Sequence, residues 1–127
     1  MMFDTDVLIW VLRGDRTAAE LLDRQAERSV SIVSLMELHH GARSKEESRA
    51  IRRFFVNNEL ELIPINESIS HLAATLVEDH ALRDGLRVAD ALIAATARDH
   101  GFILATGNVR HLRSVPGLEL KAFRPRS

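Results

Sequence analysis

The chain has 127 residues, which predicts one domain over residues 1–127, and its hydrophobic fraction of 46% is sufficient for a buried core. The net charge of −1 excludes a strongly basic surface that coats a polyanion, so any nucleic acid must bind a local basic patch or a bound cation. The absence of cysteine excludes disulfides, thiolate metal sites and cysteine nucleophiles.

The first stretch, Met2–Ile9, runs from apolar residues directly into two carboxylates, Asp4 and Asp6. It predicts a short buried strand that turns at once into a helix over Val7–Arg13, a turn that α/β proteins place at the carboxyl edge of a parallel sheet. Asp6 suits the N-cap of that helix. Asp4 interrupts the apolar run, so its carboxylate needs a partner, a metal ion or a raised pKa.

The rest of the chain alternates between strand and helix patterns. Strands are predicted over Ser29–Val33, Leu60–Ile65, Phe102–Thr106 and Leu118–Phe123. Helices are predicted over Thr17–Arg28, Ser34–Gly41, Ser44–Asn58, Glu67–Arg83 and Leu86–His100, with a short turn over Asn108–Arg113 and a frayed tail over Arg124–Ser127. This alternation predicts an α/β protein whose parallel sheet is covered by helices on both faces.

Glu37 allows two interpretations. The spacing from Ser34 to Glu37 matches a capping box, in which the glutamate would accept from a backbone N–H at the helix start. Its position one turn beyond the second strand also directs Glu37 to the same sheet edge as Asp4.

Asp90 is the only charge in the apolar segment Val88–Ala97. An acid in the first turn of a helix is favoured by the helix dipole, which explains the sign of the charge. The dipole does not explain why the carboxylate would be buried, because its desolvation costs more free energy than the interaction with the dipole contributes. A cation shared with Asp4 would resolve the conflict.

Polar residues also follow the fourth strand, where Asn108 offers a neutral oxygen and His111 lies one turn further on. Arg87, Arg110 and Arg113 are the basic residues nearest this predicted cleft, and they are the candidate contacts for any nucleic acid that binds there. Carboxylates that surround one cleft repel each other and bind hard cations such as Mg²⁺ or Mn²⁺. Such an ion activates water and stabilises charge in phosphodiester hydrolysis.

Four motifs in order resemble those of PIN-domain nucleases, and the small size is most similar to the VapC toxins of bacterial type II toxin–antitoxin systems. The motifs are Asp4–Ile9, Ser34–Leu38 with Gly41, Asp90–Ala97 and Ala105–Asn108. The resemblance implies a three-layer α/β/α fold with strand order 3-2-1-4-5 and a Mg²⁺-dependent endoribonuclease, with Mn²⁺ as an alternative ion. It further implies a homodimer and a VapB-type antitoxin that blocks the cleft, with operator DNA reached only through the antitoxin.

The resemblance also implies roles for individual residues. Asp4, Glu37 and Asp90 would be the catalytic acids, and Asp4 and Asp90 would be metal ligands. Supporting roles would fall to Thr5, Asp6, Ser34, Thr106, Asn108 and His111. The chain departs from the family pattern at Asp6, where Asn is common, and at Asn108, where an acid is common, which leaves open whether one or two metal ions bind.

Two other interpretations remain at this point. Asp4-Thr5-Asp6 also resembles the Asp-x-Asp motif of haloacid-dehalogenase-type phosphatases, but their lysine and late acidic pair have no suitable counterpart here. A degenerate PIN domain that binds RNA or a partner without cutting is the second alternative. No basic and apolar leader begins the chain, and no apolar run approaches ~18 residues, so we expect a cytoplasmic protein without a membrane segment.

Overall fold

The structure is a computed structural model that describes residues 1–126. The strands are β1 (Met2–Phe3), β2 (Ser29–Ser31), β3 (Glu61–Ile63), β4 (Leu104–Thr106) and β5 (Leu120–Ala122). The helices are α1 (Thr5–Leu12), α2 (Arg16–Asp23), α3 (Ile32–His40), α4 (Lys45–Asn57), α5 (Glu67–Asp84), α6 (Val88–His100) and α7 (Val109–Leu112). Within these residues, every helix is too short or too polar to cross a membrane.

The five strands form one parallel sheet in the order β3-β2-β1-β4-β5, as predicted. The N-terminal strand β1 occupies the centre, where Met2 pairs with both Ser29 and Leu104. Its following residue, Asp4, therefore lies at the middle of the carboxyl edge. This position is the one in which open α/β sheets place ligands.

Helices cover both faces of the sheet, because consecutive residues of a strand point to opposite sides. Met2 is fully buried in a core that includes Ile69 of α5 and Ala94 of α6. Phe3 is fully buried on the other face, in a core that includes Leu8 of α1 and Phe55 of α4. The predicted three-layer α/β/α architecture is thus confirmed.

The start of α3 differs from the prediction. The β-branched run to Val33 predicted a longer strand, but the helix begins at Ile32, with Ser31 as its N-cap. The Ser31 hydroxyl accepts from the Val33 N–H at 3.1 Å, and this cap outweighs the strand preference of the residues that follow. Ser34 therefore lies inside the helix and does not cap it.

Two further boundaries are corrected. α2 ends at Asp23, five residues earlier than predicted, and Arg28 instead anchors the connection to β2 by donating to the backbone carbonyls of Gln25 and Asn58. The C-terminal tail does not fray at Arg126, whose N–H donates to Asp15 Oδ1 at 2.9 Å. The remainder of that prediction concerns Ser127, which lies outside the described residues.

The end of α5 is held by a buried histidine and a carboxylate. His80 Nδ1 lies 2.7 Å from Asp84 Oδ2, and the His80 side chain is 5% exposed. The hydrogen bond from His80 lowers the pKa of Asp84, with further hydrogen bonds from Ser114 and Arg83. The ionised carboxylate therefore joins α5 to the segment after α7.

This cluster predicts an acid-sensitive contribution to stability. Because the folded-state pKa of Asp84 is lowered, its contribution is present above the unfolded-state pKa, and it is lost as the pH falls through the folded-state value. We expect Asp84→Asn to lower the melting temperature at pH 7 and to differ less from the wild type near pH 3. Thermal melts of both proteins from pH 3 to pH 7, followed by circular dichroism, test this prediction. A difference in melting temperature that stays the same at every pH would contradict it.

Candidate active site

Asp4 lies at the carboxyl end of β1 with both oxygens hydrogen-bonded. It is the N-cap of α1, where Oδ1 accepts from the Thr5 N–H at 2.8 Å, and Oδ2 accepts from the Thr106 hydroxyl at 2.7 Å. The residue is only 7% exposed. The prediction that Asp6 caps this helix is wrong, because the helix starts two residues earlier than the apolar pattern indicated.

The electrostatic environment of Asp4 is unfavourable to its charge. Burial, together with the negative charges of Asp6 and Asp90, raises the pKa of Asp4 from 3.8 to about 7, although the hydrogen bonds from Thr106 and Thr5 act in the opposite direction. A buried carboxylate with acidic neighbours is typical of a functional site. The three aspartates, which are separated by up to 86 positions in sequence, therefore act on one another in the fold.

Asp6 lies in the first turn of α1 and joins that turn to the loop after β4. Its Oδ2 accepts from the Gly107 N–H at 2.8 Å. Its Oδ1 is buried and has no hydrogen-bond partner among residues 1–126. Burial raises the pKa of Asp6, and the charge of Asp90 adds to that increase.

Asp90 lies at the start of α6, where its charge acts both on the helix terminus and on the other two aspartates. Its Oδ2 accepts from the Arg87 N–H at 3.2 Å, and the Arg87 Nε lies 3.8 Å from the same oxygen. The Asp90 side chain is 11% exposed, and its charge raises the pKa of both Asp4 and Asp6. The start of α6 thus carries this carboxylate to the acidic cluster while the carboxylate stabilises the helix terminus.

Glu37 is connected to the cluster through Thr5. The Thr5 hydroxyl donates to Glu37 Oε1 at 2.7 Å and lies 2.8 Å from the Ser34 hydroxyl, which is fully buried. The capping-box interpretation of Glu37 is wrong, since α3 begins at Ile32 and Glu37 lies in its second turn. Thr5 also donates its backbone N–H to Asp4, so one residue positions two carboxylates.

The loop after β4 is connected to Asp4 by Thr106. The Thr106 hydroxyl, which donates to Asp4, also accepts from the Asn108 N–H at 2.9 Å. The polar triplet after a strand was the sequence signal for this loop, but it did not show that the threonine would contact Asp4. The Gly107 contact with Asp6 had no sequence signal.

The remaining candidates are His111 and three arginines. The His111 ring is 3.5 Å from the position that a Cβ on Gly85 would occupy, and within residues 1–126 no hydrogen bond joins this ring to the acidic cluster. Arg87 contacts Asp90, whereas Arg110 and Arg113 are exposed on and directly after α7. A role of these three arginines in RNA binding stays a prediction.

The site has donor chemistry that suits a divalent cation, although it is not arranged as a finished coordination sphere. Across residues 1–126, no group of three or more acidic or histidine side chains is arranged so that it could hold a metal ion. Asp4, Asp6 and Asp90 nevertheless repel one another, and one oxygen of Asp6 is buried without a partner. A hard cation with oxygen ligands would satisfy both features.

The fold and site together define a three-layer α/β/α domain with an acidic centre at the carboxyl edge of its central strand. The model of the PIN domain family matches residues 1–118. The chain therefore belongs to the PIN domain family, as the four sequence motifs predicted. This membership leaves the phosphatase alternative without support.

The chain is also similar to individual proteins over nearly its full length. It is 27% identical over 126 residues to Ribonuclease VapC1 of Rickettsia felis, covering 94% of this chain and 93% of that protein. It is 27% identical to a chain of a toxin–antitoxin complex from Klebsiella pneumoniae, with a TM-score of 0.76 and coverage of 92% and 93%. The VapBC2 complex of Rickettsia felis bound to a promoter DNA fragment shares the fold, with 23% identity, a TM-score of 0.79 and coverage of 97% and 98%.

Proposed function

We propose that this protein is a divalent-metal-dependent endoribonuclease and the toxin of a VapBC-type toxin–antitoxin pair. The observation that carries the proposal is Asp4, a buried carboxylate with a pKa raised to about 7 beside Asp6 and Asp90 at the centre of a PIN fold. The similarity to a ribonuclease and to a toxin–antitoxin complex supports the same activity. Mg²⁺ is the expected ion, and Mn²⁺ has the same ligand preference.

The three catalytic acids would have different roles, because their positions and exposure differ. Asp4 and Asp90 would hold the ion, since both are largely buried and their charges act on the same region. Glu37 is exposed on α3 and would accept the proton of the attacking water. When bound, the ion lowers the pKa of a water and offsets the charge that develops on the phosphate.

The neighbouring residues would fix these carboxylates in place. Thr106 orients Asp4 and Thr5 orients Glu37, each through one hydroxyl at 2.7 Å. Hydrogen bonds of this kind, made to the ligand and not to the ion, commonly control metal affinity and activity. Arg87 is held beside Asp90, and we propose that it contacts the RNA backbone together with Arg110 and Arg113.

The proposed partner is a VapB-type antitoxin. A groove of about 490 Å³ runs between α1, α3 and α4, and its lining includes Ile9, Leu12, Leu38 and the acidic Glu37. An apolar antitoxin segment bound in this groove would lie next to the site and block it. We also propose a homodimer, with operator DNA contacted through the antitoxin and not through this chain.

Expression of the protein without an antitoxin tests this function in cells. We expect bacterial growth to stop, because no antitoxin would block the proposed active site, and we expect Asp90→Ala to relieve the arrest. Purified protein incubated with total RNA should produce discrete cut ends in Mg²⁺ and none in EDTA. Normal growth with abundant folded wild-type protein, together with intact RNA, would contradict the proposal.

A second function, RNA or partner binding without cleavage, is favoured by two observations. The structure holds no ready three-ligand metal site within residues 1–126, and Asn108 is neutral. The same RNA experiment separates the two functions. Tight RNA binding without Mg²⁺-dependent ends would favour the binding module over the nuclease.

A further inference from the structure

Asp6 carries an unexplained oxygen. Its Oδ1 is shielded from solvent and has no hydrogen-bond donor among residues 1–126. Buried polar atoms are nearly always paired, since an unpaired one loses its hydration without compensation. The backbone N–H groups of Val7 and Asp6 act on this carboxylate and lower its pKa, but burial and the charge of Asp90 still raise it above the ordinary value. A cation beside Oδ1 would offset that cost, and the ion pair of the cluster, Arg87 with Asp90, does not include Asp6.

The other oxygen of Asp6 is fixed by the loop after β4. Oδ2 accepts from the Gly107 N–H at 2.8 Å, and a Cβ on Gly107 would lie 2.7 Å from this oxygen. Only glycine therefore allows the loop to approach Asp6 so closely. This contact holds the carboxylate across a separation of 101 residues in sequence, which fixes the position of the unpaired Oδ1.

Asn108, the polar residue of the same loop, carries no negative charge. Asn108 follows Gly107, its N–H donates to Thr106, and its side chain makes no capping hydrogen bond. The fourth carboxylate beside Asp4, Glu37 and Asp90 is therefore Asp6 on α1, because the loop after β4 supplies none.

We propose that Asp6 supplies the fourth carboxylate of the cation site, with Oδ1 as the atom offered to the ion and Gly107 as its positioning contact. The inference rests on the proposed metal-dependent function. It replaces the sequence-based expectation that Asp6 is a helix cap, because Asp4 makes the cap.

The variant Asp6→Asn tests the charge of Asp6 separately from its contact with Gly107. The amide oxygen still accepts from the Gly107 N–H, while the charge is removed. Mn²⁺ is the probe, and its affinity for the full chain is measured by calorimetry and by the electron paramagnetic resonance signal of the free ion. We expect the dissociation constant to rise about 10-fold or more. If Asp6 serves only to hold the loop, folded Asp6→Asn will bind Mn²⁺ as the wild type does, which would overturn the inference.

Three further variants keep the test decisive. Gly107→Ala displaces Asp6 without changing any charge and should also weaken Mn²⁺ binding. Asn108→Asp in the Asp6→Asn background returns a carboxylate to the adjoining loop and should restore the affinity to within about threefold. Asp99→Asn removes one charge at the opposite end of α6, where Asp99 accepts from Ser68, and should leave the affinity unchanged.

The outcomes distinguish this inference from the function on which it rests. A wild type that binds no Mn²⁺ would overturn the metal-dependent function and the role of Asp6 together. A wild type that binds Mn²⁺ with unchanged affinity in Asp6→Asn would overturn the role of Asp6 alone. If the Mn²⁺ affinity falls in Asp6→Asn and does not recover when Asn108→Asp is added, the proposal that Asp6 acts by supplying charge is overturned.

Discussion

We expect Asp4→Asn to reduce Mg²⁺-dependent RNA cleavage by about 100-fold or more without loss of the fold. The substitution removes the charge of the most buried member of the cluster at almost no change in volume. Its amide oxygen still accepts from the Thr5 N–H, and the amide group donates to the Thr106 hydroxyl in place of accepting from it. The helix cap is thus kept while a metal-ligand charge is lost.

Asp15 offers a matched control. It is a buried aspartate at 5% exposure and is the N-cap of the next helix, where its oxygens accept from the backbone N–H groups of Ala18 and Arg126. Asp15→Asn should retain cleavage at a temperature where both variants are folded, because it lies outside the acidic cluster. Cleavage is measured by end-mapping on one RNA with equal amounts of folded protein. Wild-type rates in folded Asp4→Asn would rule out the proposed role of Asp4.

The second large effect concerns the stability of the metal-free protein. The folded-state pKa of Asp4 is raised from 3.8 to about 7, so between these values the folded state binds more protons than the unfolded state. The free energy of unfolding therefore falls as the pH rises from about 4 to about 7. Integrated over that interval, the loss is on the order of 4 kcal/mol, a large fraction of the stability of a domain of this size.

Asp4→Asn isolates this contribution, because it does not titrate. In EDTA we expect the two proteins to melt at similar temperatures near pH 4, and the variant to melt about 10 degrees higher or more near pH 8. Saturating Mg²⁺ should stabilise the wild type at pH 8 through linkage and leave the variant nearly unchanged. A difference in melting temperature that does not vary with pH would show that burial of Asp4 carries no electrostatic cost.

Both effects have the same origin in the acidic cluster. A site that holds several carboxylates without their ion reduces the stability of the fold, and removal of one charge restores stability while it removes function. The same trade-off is expected at Asp6, whose Oδ1 is buried without a partner. The cluster therefore has the character of a functional site and not of a structural ion-pair network.

The sequence by itself determined the architecture. Alternating strand and helix patterns predicted a sheet covered on both faces, and the four motifs predicted the family and the strand order, which the structure and the family match confirm. α4 and α5 begin within one residue of their predicted starts, since Ser44 and Asn66 cap them through side-chain hydrogen bonds that act within a few residues. Local patterns are sufficient wherever hydrogen bonds and apolar periodicity act over one or two helical turns.

Only the tertiary structure decided how the polar residues are used. The sequence assigned the N-cap to Asp6 and a capping box to Ser34 and Glu37, because these patterns are common at helix starts. In the fold Asp4 caps α1, and Ser34 and Glu37 meet at the hydroxyl of Thr5, about 30 positions away. The sequence carries no local signal for contacts of this kind.

The same limit applies to the loop after β4. The contacts of Thr106 with Asp4 and of Gly107 with Asp6 join residues about 100 positions apart, and they form only because β1 and β4 are neighbours in the sheet. The pKa of Asp4 is likewise a property of the assembled site, since burial and the charges of Asp6 and Asp90 exist only in the folded chain. Composition and spacing placed these carboxylates at one edge, and packing determined which of them are buried, paired or left for a cation.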